Sequence, residues 1–392
     1  MNISPWPYFD EQQIKSVSNV LNSGKVNYWT GEETKNFEKE FAKWSNNNYS
    51  IALANGSLAL SASYLALKIG NGDEVITTPR TFIATSSSIC LLKAKPVFAD
   101  VDLNSGNITA QSIEPLITKR TKAISVVHIG GWPADMIEIS KLAKNYNLSL
   151  IEDCAQAHGG KIKVDGEFKS VGSFSDVAAW SFCQDKIIST GGEGGMITTS
   201  NEDLYKKIWS IKDHGKSYNL SLNKTKSNKF KWLHNNFGSN FRLTEIQSAI
   251  GRIQLTLMED WHKKRTRNAN ILFKILKDLT NVRIPMPPTN LIHAWYKFHC
   301  YIKKDSLSKE WSRERIIDEI NQKNLPAYSG SCSEIYLEKC FQKYSNSYNK
   351  RLINARSLGE NSLMFLVHPT IKPSEMEEYG LIIKEVLIKA KK

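Results

Sequence analysis

The sequence predicts an α/β protein: a large domain on a mostly parallel seven-stranded sheet, followed by a small C-terminal α+β domain. Seven short β-branched runs follow one another between residues 49 and 200, and helix-spaced segments separate several of them. Beyond residue 200 that alternation stops. A chain of 392 residues is too long for one core, so two domains are expected, at 1–258 and 259–392.

The strand runs, in order, are "YSIALAN", "DEVITTP", "KPVFADV", "AISVVHI", "LSLIEDCA", "VAAWSFC" and "GGMITTS". Helices are predicted over 56–70, 81–95 and 135–147, which gives right-handed βαβ crossovers and a parallel sheet. Residues 202–214 read as a helix, and 217–236 as a polar, irregular loop or hairpin. The stretch 243–276 carries apolar residues at helical spacing. The "IPMPP" turn at 284–288 marks a boundary; a strand at "WYKFHCYI" and helices near 310–323 and 373–390 follow.

Composition narrows the function. With 41% hydrophobic and 23% charged residues the chain is an ordinary soluble one. No apolar run is long enough to span a membrane, and the polar start "MNISPWPYFDEQQ" lacks the apolar core of a signal peptide. A cytoplasmic location without membrane contact is therefore expected. Six scattered cysteines without a CxxC pair predict reduced thiols rather than a zinc site or disulfide scaffold. The net charge of +13 suits an anionic partner, but the lysines alternate with acids and amides in "KNFEKEFAKW" and "LNKTKSNKFKW". No nucleic-acid-binding module is recognisable, so no nucleic-acid partner is expected.

In a parallel sheet ligands bind beyond the carboxyl ends of the strands, so the residues there are the candidates. After "SIALA" comes Asn55-Gly56-Ser57 at a helix start, which suits a phosphate or a plain helix cap. After "LSLI" comes "EDCAQAHGG", whose carboxylates need a cationic or hydrogen-bonding partner if buried. After "VAAW" comes "SFCQDKIISTGGEGG", a single lysine beside a glycine cluster, which suits a phosphate clamp or an imine with a carbonyl. Phosphate donors, a carboxylate and a lysine together make the inventory that pyridoxal 5′-phosphate requires.

These pieces resemble the DegT/DnrJ/EryC1/StrS nucleotide-sugar aminotransferases, within the fold-type I, aspartate aminotransferase-like enzymes that depend on pyridoxal phosphate. The resemblance runs through "GEETKNFEKEFAKW", "NGSLAL", "GDEVITTPRTFIAT", "PVFADVD", "HIGGWPADM", "EDCAQAHGG", "SFCQDKIISTGGEGGMITT" and "FRLTEIQSAIG", in family order over nearly the whole chain. It implies that Lys186 forms the imine with the cofactor and moves the α-proton. It implies that Asp153 pairs with the pyridinium nitrogen, that Gln156 lies near the phenolic oxygen and that Phe82 stacks on the ring. Gly56, Ser57 and Ser181 would bind the phosphate, and Asn240 would reach the phosphate in the neighbouring subunit of a homodimer.

The reaction so implied moves an amino group from an amino acid, with L-glutamate the expected donor, to a nucleotide-linked keto-sugar through pyridoxamine 5′-phosphate. A surface-polysaccharide pathway such as O-antigen or capsule is the expected setting. Two alternatives remain: a sugar dehydratase on the same fold, in which histidine replaces the lysine, and a non-catalytic, cofactor-binding regulator. Lys186 favours transamination, and His158 sits elsewhere in its motif, as a structural or outlying site residue. For the sugar nucleotide the candidates are Tyr28, Trp29 and Thr30 in "NSGKVNYWTGEE", Trp29 serving equally well as a core anchor. The stretch 329–339 reads as a lid or a helix entry, and no metal site is expected.

Overall fold

The computed structural model describes residues 3–222, 232–345 and 351–392. Nine strands form in the first 200 residues: β1 (Tyr49–Leu53), β2 (Glu74–Thr77), β3 (Lys95–Phe98), β4 (Thr121–Val127), β5 (Ser149–Asp153), β6 (Lys161–Val164), β7 (Glu167–Ser170), β8 (Val177–Ser181) and β9 (Gly195–Thr199). Seven of them make one sheet in the order β1-β9-β8-β5-β4-β2-β3. Only β9 runs against its neighbours; the other pairings are parallel. The predicted runs correspond to these seven strands.

Alternation along the strands sends side chains to two apolar layers. Ile76, Trp180 and Met196 enter one layer with Phe37 and Phe41. Their chain neighbours Val75, Ala179 and Ile197 enter the other with Leu60 and Ile208. Burying one such large side chain stabilises by roughly 1.5–3 kcal/mol, so a slip of one residue would be heavily penalised. The register sets the ends of the strands level: Gly195 faces both Leu53 and Ser181, and Val127 faces Asp153.

The expected helices form at Gly56–Ala66, Ala84–Leu91, Met136–Asn145 and Glu202–Lys212. In the stretch read as a loop, Tyr218–Leu222 is helical and 223–231 lie outside the described residues. A hairpin that the periodicity did not predict, β6 with β7, turns at Asp165 and Gly166, both with positive φ (50° and 89°). Two such residues make the tight turn whose twist suits a hairpin.

The helix Glu245–Leu276 joins the two parts of the chain. Thr244 and Gln247 close its start reciprocally, each side chain accepting from the other's backbone N–H (3.3 and 3.2 Å). Its Leu255, Met258 and Trp261 pack in the first apolar layer, whereas Ala269, Leu272 and Leu276 pack in a separate C-terminal core. The expected division at 258/259 falls within this helix. Five short strands follow: β10 (Val282–Arg283), β11 (Leu291–Ile292), β12 (Phe298–Ile302), β13 (Ala327–Tyr328) and β14 (Ser362–Phe365). Four of them form an antiparallel sheet, β10-β12-β14-β13, with Arg313–Asn321 and Pro373–Ala390 as its helices. β11 instead pairs with β6 and ties this part back to the large sheet's side of the molecule.

Candidate active site

The level strand ends open onto one cavity of about 460 Å³. Its wall includes Gly56, Ser57, Phe82, Asp153, Gln156, Ser181 and Lys186, seven residues expected from the sequence. Asn55 leaves β1 extended and caps the next helix, its side chain accepting from Leu58 N (2.9 Å). The cap leaves the first N–H groups of that helix, at Gly56 and Ser57, on the positive end of the dipole. Side chains are excluded around them: a Cβ on Gly56 would stand 2.7 Å from Ser181 Cβ, and one on Gly195 would stand 2.5 Å from the Asn55 carbonyl. The glycines after the lysine therefore belong partly to this close approach.

Asp153 ends β5 with its carboxylate buried in the cavity wall. Its oxygens accept from Thr85 Oγ1 (2.8 Å) and Ala155 N (3.1 Å). Burial raises its pKa above the ordinary carboxylate value, the two hydrogen bonds and the charges of Lys186 and His128 only partly opposing this. A cation against this carboxylate would relieve that cost. Gln156 Oε1 accepts from Gly130 N (2.7 Å), which leaves its NH2 as the group available to a ligand. Phe82 is 68% exposed, a large aromatic face at the cavity with no ring stacked on it among the described residues.

Lys186 is held by its backbone: its carbonyl accepts from Trp6 Nε1 (2.8 Å) and its N–H donates to Cys183 O (3.0 Å). Its ammonium donates to the Tyr296 hydroxyl (3.3 Å) and lies 3.4 Å from Asp185 Oδ1. The Tyr296 hydroxyl donates in turn to Asp185 Oδ2. Burial alone would raise the Asp185 carboxyl, but Lys186 and the Tyr296 hydroxyl bring it below the ordinary value. Burial, reinforced by Asp185, pushes Tyr296 far above the usual phenol range, so its proton stays on. Asp185 and Tyr296 were not singled out from the sequence. Asp185 adjoins the lysine, but its partner lies 111 residues further on, and no periodicity links the two.

A second cavity of about 660 Å³ adjoins the first, sharing Thr81, Phe82, Gln156, Asp185 and Lys186. The C-terminal part closes it with Tyr296, Lys297, Tyr328, Ser331, Cys332 and Glu338. The 329–339 stretch is thus a wall of the site.

Four expected residues stand elsewhere in the single chain. Asn240 is exposed and accepts from Arg242 N (3.3 Å). Tyr28 and Trp29 line a separate cavity of about 800 Å³, where the Lys212 ammonium sits 3.5 Å from the centroid of the Tyr28 ring. Thr30 is exposed, its hydroxyl donating to Asn27 O (3.1 Å). His158 is fully buried between the Trp180 and Phe182 rings, with no hydrogen-bond partner on either ring nitrogen. Burial takes its pKa down to about 3, so it is a neutral packing residue. A buried His128–Glu152–Cys154 cluster is closed on itself: His128 bridges Glu152 and Ala134 N, and Glu152 also accepts from Gly172, Phe174 and Ser175.

The model of the DegT/DnrJ/EryC1/StrS aminotransferase family matches residues 7–383. The chain belongs to this family. Among its relatives, GDP-perosamine synthase of Escherichia coli O157:H7 is 33% identical over 314 residues, 80% of this chain and 81% of that one. A dTDP-3-amino-3,6-dideoxy-alpha-D-galactopyranose transaminase of Aneurinibacillus thermoaerophilus is 33% identical over 344 residues, 86% and 90% of the two chains. The solved aminotransferase of Psychrobacter cryohalolentis is 48% identical and covers 99% of both chains with a TM-score of 0.95. The DegT-type fold accounts for the seven-stranded sheet and for the position of the cavity at its strand ends.

Proposed function

We propose that this DegT-family aminotransferase transfers an amino group from L-glutamate to a nucleotide-linked keto-sugar, with pyridoxal 5′-phosphate as cofactor. The observation that carries the reading is one cavity holding Lys186, the buried Asp153 and a capped helix N-terminus. When bound, the cofactor supplies an aldehyde for the amino group and an electron-accepting ring, alternating with pyridoxamine 5′-phosphate. The cavity fits it. Gly56 and Ser57 N–H and the Ser181 hydroxyl would hold the phosphate, as helix N-termini hold anions. Asp153 would hold the proton on the ring nitrogen, gaining the cation its burial calls for. Phe82 would cover one ring face, and the Gln156 NH2 would donate to the phenolic oxygen.

Lys186 Nζ anchors the cofactor and then takes the proton from the donor's α-carbon, acting as acid and base in both halves of the reaction. Tyr296 and Asp185 hold that nitrogen at the cavity. We read the active form as a homodimer in which Asn240 serves the neighbouring site; the fully exposed Phe237, three residues before it, is the kind of ring a second copy would cover. Six free cysteines and the lack of any described helix long and apolar enough to cross a membrane fit a cytoplasmic enzyme. The setting we favour is synthesis of a surface polysaccharide such as O-antigen; a relative in Bacillus subtilis, 29% identical over 384 residues, is a spore coat polysaccharide biosynthesis protein.

The test is transfer of label from L-[15N]glutamate to a panel of GDP-, dTDP- and UDP-linked keto-sugars, followed by mass spectrometry. A labelled amino sugar made by wild type and not by Lys186→Ala supports the reading. No label in any sugar, from a protein that carries the cofactor, contradicts it.

A further inference from the structure

The cavity beside the Lys186 pocket has a cation of its own. Lys297 sits at the entry to β12, its N–H donating to Gly130 O (3.4 Å). Its ammonium is 4.8 Å from the centroid of the Tyr296 ring, the same ring against which Lys186 lies at 5.0 Å. Asp185, the nearest acid on that side, is already engaged by Tyr296 and Lys186. Among the described residues no carboxylate is within ion-pair distance of Lys297 and no acceptor takes its protons, although it lines the cavity.

A cation half sunk in a cavity without a partner is costly unless a ligand brings the anion. Glu338 stands in the same wall, so a single negative charge suits the cavity better than a diphosphate. The hydroxyls of Tyr328 and Ser331 line it too and offer hydrogen bonds to an acid.

We propose that Lys297 seats a carboxylate of the reactants, brought by the amino-acid donor or by an acidic sugar, and so sets which reactants the site accepts. This rests on the aminotransferase reading. Burial takes the Lys297 pKa down to about 8; Asp185 opposes this while Arg265 and Lys186 add to it. Tyr296, Tyr328, Cys332 and Glu338 are the other titratable groups around the cavity, and the neutral His299 and His368 stand near its ammonium. The seat is charged below that pH and neutral above it.

The experiment is equilibrium binding to the cofactor-loaded protein, comparing wild type, Lys297→Gln and Lys297→Arg with glutarate, UDP-glucuronate and UDP-glucose as probes. Retention of the cofactor spectrum shows that each variant is folded. The expected result is a loss of about tenfold or more in carboxylate affinity for K297Q, recovery in K297R, and no change with UDP-glucose. Wild-type affinity for the affected carboxylate should also fall as pH rises through about 8, a dependence K297Q lacks. A loss with glutarate assigns the seat to the donor, and a loss with UDP-glucuronate alone assigns it to the sugar. Equal carboxylate affinity in wild type and K297Q, or no carboxylate binding by wild type, overturns the proposal. Failure of the underlying reading would show separately, as wild-type protein that holds no cofactor on Lys186.

Discussion

Lys186 works through what holds it. Its contacts to Tyr296 and Asp185 come from different parts of the chain, so loosening either should affect the proton-transfer step more than binding. Tyr296→Phe removes a hydrogen bond to a charged group, worth about 1.5–3 kcal/mol, and should lower kcat about 10- to 100-fold with little change in KM for the donor. Steady-state kinetics checks this; a change confined to KM would show that Tyr296 binds substrate instead. Asp153→Asn keeps the shape but removes the charge for the ring nitrogen. It should leave melting near that of wild type and slow turnover by about 100-fold or more. That Lys186, Asp153, Gly56, Ser57 and Ser181 meet at one cavity was legible because each lies at, or a few residues beyond, the end of a recognisable strand. It left Tyr296 and Lys297 unread because nothing local says that β12 begins at this cavity.

At the scale of elements, apolar burial made the large sheet readable. Strands buried on both faces print as nearly continuous apolar runs, as "VAAW" does in β8. Two-residue strands such as β10, β11 and β13 leave too few residues for a period to show. The β6–β7 hairpin was missed although Asp165-Gly166 is a turn pair, because its strands are largely exposed and carry lysines and glutamate rather than an apolar face. Gly166 sits at φ 89° with open space around it, so Gly166→Ala tests backbone strain alone. It should destabilise by about 1 kcal/mol in denaturant unfolding and leave cofactor binding intact. An unchanged midpoint would mean that the hairpin turn contributes nothing to global stability.

At the scale of the molecule, two features govern behaviour in solution. Four histidines are buried neutral: burial takes His158, His299 and His368 down to about 3 and His293 well below its ordinary 6.5. Between pH 6.5 and about 3 these four histidines bind more protons in the unfolded chain than in the folded one, so their contribution to stability falls as pH falls through that window, each by up to about 1.4 kcal/mol per pH unit. The raised carboxyls of Glu38 and Asp153 act the other way. Urea unfolding at pH 7 and pH 5 should show it, and His158→Phe should lessen the slope. The second feature is assembly. If Asn240 serves the neighbouring site, mixing inactive Lys186→Ala with impaired Asn240→Asp should restore activity neither has alone, since mixed dimers hold one intact site. No recovery from subunits shown to exchange would place Asn240 outside the partner's site.

The central claim is that Lys186 carries pyridoxal phosphate and passes amino groups through it. The most direct measurement adds the cofactor to purified protein, fixes any bond with borohydride and locates the adduct by peptide mass spectrometry, with and without prior L-glutamate. The account predicts a pyridoxyl group on Lys186, its loss after glutamate as 2-oxoglutarate appears, and no adduct at this site in Lys186→Ala. An adduct on another lysine, or none, would contradict it.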